Sequence, residues 1–361
     1  AYSGTQWDGT NSWVELSNPP TSGDYTSSIK DVVGSATWDS IAWIPERPTG
    51  KELPNSGNSE TAYNTGNANM TGNVLLYHMN ESSGTITDTS GLGNNGTYNG
   101  ALYSQTGKLN TAIGFDGVND YTIKNPINNF PTTVITVEFW MNSSDTTNSG
   151  TPISYASSAS DNDFLIYNYN NFSIYRGGTT TGGTSVSAND GNWHHIAVTW
   201  RGSDGQVKIY KEGSEAYSGT LATGTSITGG GSLVLAQEQD SVGGGFDPTQ
   251  AFNGTIDEVA IYNRVLSPTE ILDHYKRGVL RLKYQVRSCD DAACSGETFI
   301  GPDGTGSDYY EWGTTNSVST PSFNLTNVID NQYFQYKTYF ETNTSSYTPE
   351  LKNATINYSC L

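Results

Sequence analysis

Positive charge is what this chain has least of: Lys and Arg number 17 against 36 Asp and Glu, a formal net charge of -19. With no Lys/Arg cluster there is little to neutralise phosphates, which argues against nucleic acid and anionic membrane as partners and favours bound cations. Charge of either sign is sparse, at 15% of residues, and helix formers are few. Three Cys are too few for a disulfide scaffold. No apolar run approaches the roughly 20 residues needed to cross a bilayer, so membrane insertion is not expected. Ala1 stands without an initiator Met or a basic-then-apolar leader, as a processed chain reads. Neither a nucleotide-binding glycine motif nor a Gly-x-Ser-x-Gly elbow occurs.

What the chain does have is Asn, Thr, Ser, Gly and Tyr, the composition of polar-faced strands joined by tight turns. Period-2 patterning predicts strands at Thr37 to Trp43, Tyr121 to Ile123, Val134 to Met141, Phe164 to Ile166, His195 to Trp200, Gln206 to Tyr210, Leu233 to Ala236, Thr255 to Tyr262, Leu280 to Arg287 and Tyr333 to Phe340. Gly, Asn, Asp and Ser clusters separate them, which is the pattern of β-sandwiches. One helix is expected from Ser267-Pro268-Thr269-Glu270, an N-cap with Pro at the first helical position and Glu at the third, followed by Ile271, Leu272 and Tyr275 on one face and Gly278 as a stop.

Composition divides the chain. Pro45 to Gly72 is rich in Pro, Gly, Asn and Ser, so 51–72 reads as a linker between residues 1–50 and a central block at 73–278, with 279–361 following. Cys289 and Cys294 have four residues between them, a spacing that closes a local disulfide loop; it is too long for a Cys-x-x-Cys redox pair and lacks companions for zinc. Cys360 is left as either a free thiol or an intermolecular link. Ten Asn-x-Ser/Thr sequons, at Asn69, Asn80, Asn95, Asn142, Asn171, Asn253, Asn324, Asn343, Asn353 and Asn357, point to an extracellular, glycosylated protein.

The stretch richest in chemistry runs from Glu238 to Gln250. Glu238, Asp240, Asp247 and Gln250 surround Gly243-Gly244-Gly245 with no Lys or Arg among them. Ca²⁺ takes six to eight oxygens from carboxylates, amides and main-chain carbonyls, and glycines let backbone bend around an ion. An acidic surface loop is the plain alternative. Hydrolase chemistry on a strand needs alternating carboxylates, Glu-x-Asp-x-(x)-Glu; here Val242 or Gly243 stands where the last Glu belongs, so no enzyme activity is expected. His194 and His195 have no Ser or Cys nucleophile motif nearby and read as structural.

The central block resembles a laminin-G-like, concanavalin A-like jelly roll. The resemblance rests on Leu75-Leu76-Tyr77-His78-Met79-Asn80-Glu81, Ile113-Gly114-Phe115-Asp116-Gly117, Val137-Glu138-Phe139-Trp140, Asn192-Trp193-His194-His195-Ile196-Ala197-Val198-Thr199-Trp200 and Gly254-Thr255-Ile256-Asp257-Glu258-Val259-Ala260, in that order. Within that superfamily, Glu238 to Gln250 is similar to the calcium loop of pentraxins, and Ser154-Tyr155-Ala156 with Asp161-Asn162-Asp163-Phe164 is similar to a second pentraxin element. The resemblance implies two Ca²⁺ ions bridged by Glu238 and Asp240, with Asp161, Asn162 and the Gln239 main-chain carbonyl on the first and Asp247 and Gln250 on the second. It also implies that Tyr167 contacts ligand. Departures are visible. Pentraxins carry a core disulfide where this chain has Glu138 and Ala197, so packing is expected to replace the bridge. Asp247 is one methylene shorter than the Glu common in pentraxins. The choline-facing acid has no counterpart among residues 179–189, so phosphocholine is not implied. Asp88, Asp116, Asn119, Asp120 and Asp257 are a second candidate set, for a structural ion.

The flanks, Tyr25 to Asp31, Ala36 to Trp43, Leu280 to Cys289, Tyr333 to Lys337 and Tyr347 to Leu351, resemble a module of archaeal and bacterial secreted surface proteins. The expected architecture is thus all-β: a concanavalin A-like jelly roll inserted in a second β-sandwich built from the N- and C-terminal segments. An interchain version is equally drawable, with N-terminal strands completing the sandwich of an identical neighbour and building a filament. The functional expectation is a secreted cell-surface protein that binds Ca²⁺ and, through it, a glycan or other anionic ligand for adhesion; the alternative is a structural subunit of an extracellular filament or surface layer.

Overall fold

A computed structural model describes residues 1–17, 21–55, 57–100, 102–312 and 319–361. Residues 18–20, 56, 101 and 313–318, which fall within the four expected segments, lie outside the described residues. The chain folds into two units, one made of Ala1–Glu52, Glu60–Asn67 and Lys276–Leu361, the other of Leu53–Ser59 and Ala68–Tyr275. All ten expected strands are present, within longer elements such as Lys30–Pro45 and Asn331–Thr342.

The unit formed from both ends of the chain is a single branched antiparallel sheet around Trp38, Trp43, Tyr284 and Phe334. Trp43 stacks between Tyr284 and Phe323, with ring centroids at 4.1 and 5.3 Å. The first strand is split at Gly4: Tyr2–Ser3 pairs with Ser22–Thr26, while Thr5–Asp8 pairs with Trp13–Leu16. Backbone approach there is close enough that a Cβ on Gly23 would sit 2.7 Å from Gly4 and Ser3 main-chain atoms, so only glycine fits. Ser22–Thr26 and Lys30–Pro45 both pair with Asn331–Thr342, and Lys30–Pro45 also pairs with Leu351–Cys360. The N-terminal strands pair with strands of their own chain, as in the intrachain arrangement drawn from the sequence.

Residues 51–72 are not a loose tether. Lys51 and Glu60 are fully buried in the first unit, where Glu60 bonds Lys51 at 2.6 Å and Arg277 at 2.7 Å. Leu53, Ala68 and Met70 pack in the second unit with Tyr210, Tyr262 and Ile271. Turn-forming composition signalled irregular backbone correctly but carried no information on burial. Cys289 and Cys294 are joined in a disulfide at the end of strand Leu280–Cys289, and Cys360 is an exposed free thiol.

The central unit is two antiparallel sheets facing each other across one core. The seven-stranded sheet runs Thr179–Thr180, Ser173–Arg176, Phe164–Tyr167, Ile153–Ala156, Ser232–Leu235, Tyr121–Lys124, Thr97–Asn99. The eight-stranded sheet has Val134–Asn142 between Trp193–Arg201 and Asn253–Tyr262. Alternation decides the faces: Ile153, Tyr155, Phe164, Ile166 and Ile174 point into the core, leaving Ser154, Leu165, Tyr167 and Tyr175 on the outer face of the smaller sheet.

Helix Pro268–Val279 opens with the expected capping box: Glu270 N–H donates to Ser267 Oγ at 3.2 Å, and Ser267 N–H donates to Glu270 Oε2 at 2.8 Å. Gly278 does not stop it. The helix continues through Val279 directly into strand Leu280–Cys289, and the Arg277 and Val279 carbonyls accept from Gly50 N–H and Asn343 N–H, which removes the need for a left-handed glycine cap.

Glu138 and Ala197 do face each other across adjacent strands. What occupies the place of a bridge is not apolar packing alone. Glu138 is 1% exposed, and its carboxylate accepts from His274 at 2.8 Å while His195 Nε2 lies 3.7 Å away. Burial pushes the Glu138 carboxyl up, but the two histidines and Tyr262 outweigh it, so the net shift is downward. Burial also depresses His195 to about 4. Removing one partner from a buried pair costs more than the pair contributes, so Glu138→Ala is expected to destabilise the chain by about 3–5 kcal/mol in urea unfolding. For His195 the unfolded state binds the extra proton first, so stability is expected to fall as pH drops from about 6.5 towards 4, read by thermal melts across that range.

Candidate functional site

The outer face of the seven-stranded sheet carries a row of paired residues. Val234, Ser154, Leu165 and Tyr175 lie side by side on four neighbouring strands. Two loops meet over this row. One ends in Asp161-Asn162, just before strand Phe164–Tyr167; the other leaves strand Ser232–Leu235 and carries Glu238 to Gln250.

Gln239 fixes the second loop. It is fully buried, and its side-chain amide donates to the Ser154 carbonyl at 3.0 Å, to Ser154 Oγ at 3.2 Å and to the Ser232 carbonyl at 3.2 Å. Its Oε1 accepts from Gly243 N–H at 2.8 Å. Every side-chain atom of Gln239 that can bond is thus spent on the scaffold, leaving the residue only its main chain to offer a ligand. The glycines are turn formers: Ser241 and Gly244 exchange main-chain hydrogen bonds, and Gly245, at φ 78°, would place a Cβ 2.8 Å from that of Asp240. Further along, Asp247 caps a single 3₁₀ turn, Pro248–Gln250, its Oδ1 accepting from Thr249 N–H and Oγ1 at 2.9 Å. The turn brings Gln250 back beside Glu238.

The first loop is anchored by a residue that is not part of the site. Asp163 turns inward, accepting from Ser157 Oγ at 2.6 Å, Thr228 N–H at 2.8 Å and the Arg176 guanidinium. Asn162 is held through its carbonyl, which accepts from Gly177 N–H at 2.8 Å. Asn162, Glu238, Asp240 and Gln250 then line one open hollow of about 400 Å³ whose other walls are Leu165, Tyr167 and Tyr175.

Three buried oxygens in this cluster, Asn162 Oδ1, Glu238 Oε2 and Gln250 Oε1, meet no hydrogen-bond donor. Burial pushes the Glu238 carboxyl up to about 7, with the negative charges of Asp240, Asp161 and Asp247 acting in the same direction and a hydrogen bond from the Gln239 main chain opposing them. Unpaired buried acceptors and like charges are costly. A donor set made only of oxygens, with no counter-cation of its own, suits a hard divalent cation.

The structure gathers the residues singled out in the sequence. The charges of Asp161, Asp240 and Asp247 all act on Glu238, and Tyr167 forms part of the hollow's wall. Sequence reading missed Tyr175, whose ring stands edge-on to Tyr167 at 5.9 Å, and Leu165 between them. Strand register would have found both, since Leu165 pairs with Tyr175 and shares its face with Tyr167. No carboxylate stands at the third position of the hydrolase spacing; Val242 is 45% exposed and Gly243 is in the turn. His194, bridging Asp190 and Glu212 at 2.8 Å each, and His195 stand on the other sheet.

The second acidic set serves turns. Asp88 accepts from Leu76, Ser90 and Asn94 N–H and Ser90 Oγ; Asp116 accepts from Val118 and Asn119 N–H; Asp257 accepts from Lys108 and Leu109 N–H. Protein donors fill the places an ion would take at Asp88, and the carboxylates close three separate loops.

With this geometry in view, comparison with known proteins is informative. Residues 115–287 match the Pentaxin family model. The sushi, von Willebrand factor type A, EGF and pentraxin domain-containing protein 1 of Rattus norvegicus is 42% identical over 171 residues, 47% of this chain and 4% of that protein. Neuronal pentraxin-1 of Homo sapiens is 38% identical over 163 residues, 45% of this chain and 35% of that protein. The chain thus spans a minor part of each relative. Among solved structures, a heptameric SAP-like pentraxin from Limulus polyphemus is similar at 22% identity and TM-score 0.37, covering 44% of this chain and 78% of that one. The two curated relatives are animal proteins, so the archaeal or bacterial source expected from the flanks gains no support from them. Over residues 115–287, most of which lie in the central unit, the chain is thus similar to pentraxin domains.

Proposed function

We propose that the central domain binds Ca²⁺ through Asp161, Asn162, Glu238, the Gln239 carbonyl, Asp240, Asp247 and Gln250, in an extracellular protein that uses the site to hold a ligand. The observation that carries this reading is the three donor-less buried oxygens, one of them on Glu238, whose carboxyl also meets the negative charges of Asp240, Asp161 and Asp247. Bound there, the ion supplies positive charge and open coordination positions for hydroxyl, carboxylate or phosphate oxygens of a ligand. Asp161 and Asn162 come from one loop and Glu238 to Gln250 from another, so ion binding also ties the two loops together. Two ions are proposed, with Glu238 and Asp240 shared between them. Glycans and other anionic surface molecules fit the chemistry, because Tyr167, Tyr175 and Leu165 give a ligand's apolar face a surface to lie against.

The role proposed is binding and adhesion without catalysis, since the loop offers no acid/base partner to Glu238 and Asp240 in the spacing hydrolysis needs. The filament reading has no observation in its favour, because the N-terminal strands pair within their own chain.

A cation that binds only the folded state must raise its melting temperature, by about 2.7 kcal/mol of stabilisation at a hundredfold excess over Kd. Differential scanning fluorimetry of the chain in Ca²⁺ against EDTA is expected to show that rise; an unchanged Tm refutes calcium binding. Glu238→Gln separates charge from shape. With folded pKa raised to about 7, the ion-free domain loses stability as pH rises through that value, a cost of at most about 3 kcal/mol at neutral pH. The substitution is therefore expected to raise Tm in EDTA at pH 7.5 while abolishing the response to Ca²⁺.

A further inference from the structure

The ten sequons are not equivalent once placed on the fold. Asn80 is half-buried, and its Oδ1 accepts from Thr111 N–H and Oγ1 at 3.2 and 3.3 Å. Asn324, Asn353 and Asn357 are all exposed, and they share one face of one sheet. In the unit built from both chain ends, strand Lys30–Pro45 lies between Ser322–Asn324 and Leu351–Cys360. Directly paired residues in antiparallel strands project to the same side. Asn324 pairs with Ser40 and Ser40 with Asn357; Ser322 pairs with Ala42 and Ala42 with Thr355; Asn353 pairs with Ile44. A hydrogen bond from Asn357 Nδ2 to Ser40 Oγ at 2.9 Å ties that row together. On the opposite side of the same strands, Phe323, Ile41 and Ile356 face the core.

The outward face is unusual for this chain. Its two inner rows contain Ser, Ala, Thr and Asn with no charge and no large side chain, with the exposed Ile44 in the next row, whereas strands Leu280–Cys289 and Asn331–Thr342 of the same sheet carry the partly buried pairs Lys283–Glu341 and Lys337–Asp24. Exposed sheet normally relies on charge or bulk to resist stacking against other sheets. Small side chains instead leave a flat floor with room for something above it. With strands about 4.8 Å apart and a rise of about 3.4 Å per residue, Asn324 and Asn357 are roughly 10 Å apart and Asn353 and Asn357 roughly 14 Å. Three attachment points at that spacing cover the floor.

We propose that this face is a glycan-bearing one, with N-linked oligosaccharides on Asn324, Asn353 and Asn357 covering the small-residue floor. The co-reactant is a lipid-diphosphate-linked oligosaccharide. The side-chain amide nitrogen attacks the anomeric carbon, an N–C bond forms as the C–O bond to diphosphate breaks, the amide proton passes to a base of the transferring enzyme, and the lipid diphosphate leaves. No electrons are exchanged. The proposal is independent of calcium and rests only on the extracellular placement proposed above.

The test is glycopeptide mapping of the full chain isolated from its source, with N-glycans released enzymatically in H₂¹⁸O so that each formerly occupied Asn becomes an ¹⁸O-labelled Asp. Label at two or all three of Asn324, Asn353 and Asn357 is expected. Label at one or none of them while other sequons are labelled overturns the proposal and leaves the extracellular reading standing; label nowhere overturns both. A N324Q/N353Q/N357Q chain provides the second readout. Its melting temperature is expected to match the enzymatically deglycosylated parent, and sedimentation is expected to show concentration-dependent self-association that the glycosylated parent lacks. A fully glycosylated parent that already dimerises, with the dimer lost on Ala42→Arg, would mean that a second copy covers the face and would overturn the proposal.

Discussion

The mutual repulsion of Glu238, Asp240, Asp161 and Asp247 is the constraint on which the site depends. Glu238, buried beside the hollow and acted on by the negative charges of Asp240, Asp161 and Asp247, is a net cost to a folded chain unless something positive joins it. The fold meets that cost through rigidity. Gln239 spends its whole side chain on Ser154, Ser232 and Gly243, so the loop cannot swing outward to relieve the repulsion. Asp163 does the same for the other loop through Ser157, Thr228 and Arg176. Pre-organisation of this kind shifts the ordering cost from ligand binding to folding.

The rest of the central unit serves that arrangement. Two sheets bury one continuous core, and the outer face of the smaller sheet is flat enough to seat two loops side by side. Strand Ile153–Ala156 leads into the first loop and pairs with Ser232–Leu235, which leads into the second, and its Ser154 anchors Gln239 of that second loop. Where pentraxin cores use a disulfide, Glu138 and Ala197 stand, and a buried carboxylate hydrogen-bonded to His274 ties the eight-stranded sheet to the helix instead. Such a link is strongly oriented but sensitive to acid, unlike a covalent bridge.

Much of this was legible in the sequence. Period-2 strands and the Ser267/Glu270 capping box are local signals, set by alternation and by hydrogen bonds three residues apart, and they survive folding unchanged. The proposed oxygen donors stood out in the sequence because their loop is rich in oxygen-bearing side chains and has no Lys or Arg. Long-range packing was not legible. Gly278 reads as a stop because its sequence context cannot show that Gly50 and Asn343 satisfy the helix's last carbonyls. Lys51 and Glu60 sit in a stretch whose composition signals solvent, yet they are buried because the Glu60 carboxylate is shared by two cations, Lys51 and, from more than 200 positions away, Arg277. Tyr175 became visible as a wall of the hollow only when register paired it with Leu165.

Coupling between the ion and the Glu238 proton is the most direct handle on the central claim. Isothermal titration of Ca²⁺ into the EDTA-stripped, dialysed chain at pH 7, in two buffers of different ionisation enthalpy, measures the protons released on binding. A carboxyl whose ion-free pKa is about 7 is half-protonated there, so roughly half a proton per chain should leave as the ion binds. Saturable binding with that release is the result the four-carboxylate site requires. No saturable heat, or binding without proton release, would contradict it.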